Sequence, residues 1–146
     1  MSKAETAIAL FDKYNCAQSV AAAYASHFGL EKDRALQAAV GFGGGLGRHQ
    51  EVCGAVSGAV IILGLASEFT EEDSRPKINA VYSKVHSLID EFAKEKGSFK
   101  CRDLLGCDLL SEEGQKYFRE HNLKEKCRDY VRFCCDLLDK YLEDKQ

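Results

Sequence analysis

The sequence predicts an all-α fold: a single-domain helical bundle of about six or seven helices, with a glycine-rich loop before a buried central helix. Apolar residues recur at helical spacing through most of the chain, and no segment alternates with period two over a useful length. Proline occurs once in 146 residues, while Ala, Leu, Glu and Lys are abundant. A hydrophobic content of 45% is enough for a real core at this length. There are no repeats and no linker-like stretch, so residues 1–146 read as one helical, cysteine-rich domain.

Ala7, Leu10, Phe11 and Tyr14 carry a first helix over about residues 3–13. Asn15 is placed to cap a second, from Cys16 to about Phe28, which Gly29 ends. Residues 31–40 make a short third helix, and the glycine loop follows. The central helix covers about residues 53–68; Gly54 and Gly58, four apart, give it a small-residue face that lets another helix approach closely. Pro76 suits the first turn of a long helix capped by Ser74, with Ile78, Val81, Tyr82, Val85, Leu88, Ile89 and Phe92 as an apolar stripe and Gly97 as its stop. Ser98 caps a short turn carrying Cys101, and Ser111-Glu-Glu opens a helix to about His121. The last helix runs from about Lys124 to Leu142, with Cys127, Tyr130, Val131, Cys134, Leu137, Leu138 and Tyr141 on one face.

A net charge of −3 with scattered basic residues gives no reason to expect nucleic-acid binding. The most apolar window, Val52 to Ala66, falls short of the roughly 18–20 residues a membrane span needs. The N-terminal residues lack the apolar core of a signal peptide. A cytoplasmic protein is the expectation, and seven cysteines then point to metal binding or redox chemistry rather than a disulfide framework.

The most informative stretch is Gly41-Phe-Gly-Gly-Gly-Leu-Gly-Arg-His-Gln-Glu-Val-Cys53-Gly-Ala-Val-Ser-Gly58. It places a thiol where a flexible loop becomes a helix. The unpartnered N–H groups and positive dipole end there favour a thiolate. Gly43, Gly44 and Gly45 are the expected points of close approach for a cofactor or a partner's sulfur. Phosphate cradling is the other use of such a loop, but the Gly-Lys-Ser/Thr ending is missing.

Cys16, Cys53, Cys101 and Cys127 all fall at or within a few residues of a predicted helix start. Convergence of those ends would build one site for thiolates, a reducible disulfide or a metal. There is no Cys-x-x-Cys, which argues against a thioredoxin-type motif and common zinc ribbons. Cys107, Cys134 and Cys135 read as buried small apolar residues, with a local Cys101–Cys107 disulfide as the alternative. His49, four residues before Cys53, has two readings: it stabilises the thiolate or relays a proton, or it is a solvated loop histidine. Arg48 and Glu51 read as surface residues, His86 as a boundary residue, and His27 and His121 as helix C-terminal residues without an assigned role.

The pattern resembles the redox-active protein family named for the motif C_GCAxxG_C_C, domains of this length marked by four dispersed cysteines. The matching residues are Cys16 in Asn-Cys-Ala-Gln-Ser, the loop Gly41 to Gly47, Cys53-Gly-Ala-Val-Ser-Gly58, Cys101 in Cys-Arg-Asp-Leu-Leu-Gly, and Cys127. The label spells Gly-Cys-Ala where this chain reads Cys-Gly-Ala, and three of the cysteines lie beyond its four. The resemblance implies a prokaryotic redox protein and no settled substrate.

Two functions follow as expectations. The first is thiol–disulfide exchange or electron transfer, with Cys53 the low-pKa nucleophile and Cys16, Cys101 or Cys127 its resolving partner. A redox partner protein or a small-molecule thiol or electron donor would exchange electrons with it. The second is a metal or iron–sulfur module, with zinc or a cluster held by Cys16, Cys53, Cys101 and Cys127. A helical domain with inert cysteines is a third possibility. The apolar stripes of the long and last helices would also suit a homodimer.

Overall fold

A computed structural model of the chain describes residues 1–143. Its helices are α1 (Lys3–Phe11), α2 (Cys16–Ala25), α3 (Lys32–Ala39), α4 (Gly54–Ala66), α5 (Ser74–Lys96), α6 (Cys101–Leu105), α7 (Glu112–Glu120) and α8 (Leu123–Leu142). The eighth helix relative to the sequence reading is α6, expected only as a short turn. Among the described residues there is no strand; one isolated antiparallel bridge pairs Val52 with Lys100. No helix among them is long and apolar enough to cross a membrane.

The core is built around α4. Its Ala55, Val56, Ala59, Ile62 and Leu63 are buried against α2, α8 and part of α5. The α2 crossing is the closest one, and glycine makes it possible. A Cβ on Gly58 would stand 2.6 Å from the Ala17 carbonyl oxygen, and one on Gly54 would stand 3.3 Å from Cys16 Cβ. The small face read from the sequence is therefore where α2 lies on α4. It brings the starts of the two helices, and with them Cys16 and Cys53, side by side.

The helix ends are fixed by local chemistry. Asn15 Oδ1 accepts from the Gln18 N–H at 2.9 Å, and Gln18 Oε1 accepts from the Asn15 N–H at 3.1 Å, a reciprocal capping box. Asn15 Nδ2 also donates to the Val40 carbonyl at 2.9 Å, tying the cap of α2 to the entrance of the glycine loop. Ser111 caps α7 by accepting from the Gly114 N–H at 2.9 Å. Ser74 is not a cap: it is the first residue of α5, and Asp73, with φ +50°, precedes it.

Leu88 and Phe92 are the fully buried residues of α5. Ile78, Val81 and Val85 are half-buried, and Tyr82 is 64% exposed. The reason is length. The 23 residues of α5 span about 35 Å and the 13 of α4 about 20 Å. The first half of α5 therefore finds no partner along its whole stripe.

Candidate functional site

The bridge at Val52 and Lys100 organises the site. The Cys53 N–H donates to the Phe99 carbonyl at 2.8 Å, and the Cys101 N–H donates to the Glu51 carbonyl at 2.7 Å. Two crossing segments thus deliver Cys53 to the start of α4 and Cys101 to the start of α6. Cys16 is the first residue of α2, held by the Asn15 cap, and Cys127 lies in the second turn of α8. All four cysteines line one cavity of about 640 Å³. Its walls include Phe11, Leu104, Phe118 and Tyr130, and the glycine loop closes one side through Gly43, Gly44 and Gly45.

The loop folds this way because glycine permits it. Gly44 and Gly45 have φ +65° and +67°, a region that costs other residues energy. A Cβ on Gly45 would stand 2.6 Å from the Glu51 backbone nitrogen, so the loop closes tightly on its own exit. Leu46, Arg48 and Gln50 also have positive φ. Such strain, about 1–3 kcal/mol at a residue, is stored where surrounding contacts over-determine the backbone.

Gln50 supplies several of those contacts. Its side chain is buried, donates to the Cys107 carbonyl at 2.7 Å and accepts from the Leu109 N–H at 2.9 Å. It also pulls the Cys101 thiol down, against burial. Nothing in the sequence marks it, because it sits in a polar run.

The curl that turns Gln50 inward turns His49 out. His49 is exposed and faces a separate cleft with Arg102 and Cys107, and its carbonyl accepts from Arg102 at 3.1 Å. The structure does not bring its imidazole to the sulfurs, so the proton-relay reading loses its geometry. The glycines do reach the thiol cavity. Cys134 and Cys135 are fully buried in the core, whereas Cys107 is half-buried beside Cys101.

Electrostatics separates the thiols. Cys16 and Cys127 line the same cavity, and their interaction holds the Cys127 thiol below its ordinary range against burial, which opposes it. The same interaction, together with burial, drives Cys16 well up. Burial pushes Cys53 up to about 12, and the Ala55 and Val56 N–H groups at the start of α4 pull it down without winning. Cys53, expected as the low-pKa thiol, is thus raised, and Cys127 is the lowered one. Burial also raises Cys101, to about 11. Tyr130, read from the sequence only as a core residue, stands among these sulfurs and is itself raised to about 12, chiefly by burial.

Among the described residues, no group of three or more Cys, His, Asp or Glu is arranged to hold a metal ion. The four cysteines expected as ligands in the alternative line one cavity without forming such a group.

Cys53 and Cys135, each raised to about 12, keep their protons in the folded chain where an unfolded thiol loses its own near about 8.5. The unfolded state then binds fewer protons, so stability falls as pH rises above that value. Each group contributes up to roughly 1.4 kcal/mol per pH unit. Urea unfolding at pH 8 and pH 10 should show the midpoint dropping; a midpoint that stays level would contradict the burial of these thiols.

The family whose model matches is described as "Putative redox-active protein (C_GCAxxG_C_C)", and the match covers residues 14–141. No curated protein and no solved structure matches the chain. The matched span runs from just before the Asn15 cap through all four cavity cysteines into the last helix, and the chain belongs to this family of redox-active, cysteine-marked helical domains.

Proposed function

We propose that the protein is a thiol–disulfide redox protein in which Cys127 is the nucleophile and Cys16 its resolving partner. The interaction of Cys16 with Cys127, in a cavity lined by four cysteines, carries this reading. A thiolate kept ionised by a neighbouring thiol is activated and has its second sulfur in place.

The Cys127 thiolate attacks one sulfur of a substrate disulfide, forming a mixed disulfide and releasing one thiolate. Cys16 gives up its proton and attacks the Cys127 sulfur. The second thiol leaves, and a Cys16–Cys127 disulfide remains. The protein is oxidised by two electrons and the substrate is reduced to two thiols. In reverse, the same steps oxidise a dithiol. Cys53 and Cys101 flank the pair as protonated thiols.

The test is the pH dependence of alkylation. In the wild-type chain, fast iodoacetamide labelling of Cys127 should have its midpoint below the free-thiol value of about 8.5. Cys16→Ala removes the neighbouring thiol, so the midpoint should rise to that value or above. Cys16→Ser, which keeps a hydroxyl donor, should fall between the two. A midpoint unmoved by Cys16→Ala would overturn the pairing.

A further inference from the structure

The mouth of the thiol cavity is electrostatically one-sided. Arg48 and Arg119 line it, and no Asp or Glu does. Among the described residues, neither arginine is in an ion pair.

Arg48 is also held in place. Its backbone has φ +67°, and its stem lies over Gly44, where a Cβ would stand 2.8 Å from Arg48 Cγ. A residue kept in a strained conformation over a glycine that makes room for it is aimed by the fold. The other cations nearby sit behind Phe11. Lys124 lies over its ring, as does Arg128, which is already paired with Asp12 and Glu125. Inward of the two arginines the walls are apolar, with Phe11, Leu104, Leu105, Leu109 and Phe118.

We infer that the cavity takes a small anionic disulfide, with its acidic groups at Arg48 and Arg119 and its apolar body and sulfur–sulfur bond against the cysteines. The inference rests on the thiol–disulfide reading above and adds the substrate class. The volume, about 640 Å³, suits a small molecule. Two unpaired cations beside low-dielectric walls on a chain of net charge −3 concentrate anions locally. Arginine matches carboxylate and phosphate alike, so either acid serves.

Three disulfides of similar length separate charge from chemistry: dithiodipropionate, a dianion; bis(hydroxyethyl) disulfide, neutral; and cystamine, a dication. The rate at which each oxidises the reduced full-length chain is divided by its rate with mercaptoethanol, which removes intrinsic reactivity. The expected order is dianion, neutral, dication, with at least about a tenfold spread that shrinks at high salt. In the Arg48→Gln, Arg119→Gln double variant the dianion-to-neutral ratio should fall to about one. A wild-type chain that oxidises equally fast with all three would overturn the substrate class and leave the thiol–disulfide reading standing. So would a preference the double variant retains. If none of the three oxidises the chain, both fail.

Discussion

Gly58→Ala is expected to lower stability by about 2 kcal/mol and to disturb the thiol pair, although the substitution lies outside the cavity. The new methyl would meet the Ala17 carbonyl oxygen at 2.6 Å. That oxygen is backbone and cannot swing away, so the crowding cost falls in the upper part of the 1–3 kcal/mol range for overpacking. Better helix propensity returns at most about 1 kcal/mol. Relief requires α2 to shift, and Cys16 is the first residue of α2. The alkylation midpoint of Cys127 should therefore rise along with the loss of stability. Gly64→Ala is the control, since a Cβ there meets nothing within 4 Å. It should be neutral to stabilising by up to about 1 kcal/mol. Urea unfolding of both variants checks this; equal effects at the two positions would mean that the helix crossing is not tight.

Cys127→Ser should remove the fast thiol of the protein. Of the seven cysteines, Cys127 alone is lowered, and the other six are raised. At neutral pH an ordinary thiol is a few per cent thiolate, and one raised to about 12 is ionised at roughly one part in 10⁵. The burst of labelling at pH 7 should vanish in Cys127→Ser, leaving slow modification of half-buried Cys107. Cys53→Ser should keep the burst. If instead Cys53→Ser abolished it, the helix-start argument would have been the right one.

Most of the frame was legible in the sequence because it depends on local rules. Asn15 and Ser111 are caps, Gly29 and Gly97 are stops, and Gly54 and Gly58 mark the crossing. The gathering of Cys16, Cys53, Cys101 and Cys127 was legible as a common placement near helix starts. The ranking of their acidities was not. A helix start favours a thiolate, but desolvation at Cys53 is larger, and burial is a tertiary property. Cys127 gains its advantage from a sulfur more than a hundred residues away in sequence. Gln50 and Tyr130 escaped for related reasons. One is polar in a polar run and the other apolar on an apolar face, and only the fold turns Gln50 inward and sets Tyr130 in the cavity wall. The position of His49 depends on the left-handed residues that flank it, which spacing to Cys53 does not encode.

Peptide mapping of the chain after oxidation by one equivalent of a small disulfide is the most direct test of the central pair. A single disulfide between the peptides carrying Cys16 and Cys127 is expected, with Cys53 and Cys101 still alkylatable after unfolding. A first disulfide that joins Cys53 to Cys101, or Cys101 to Cys107, and leaves Cys16 and Cys127 reduced would contradict it.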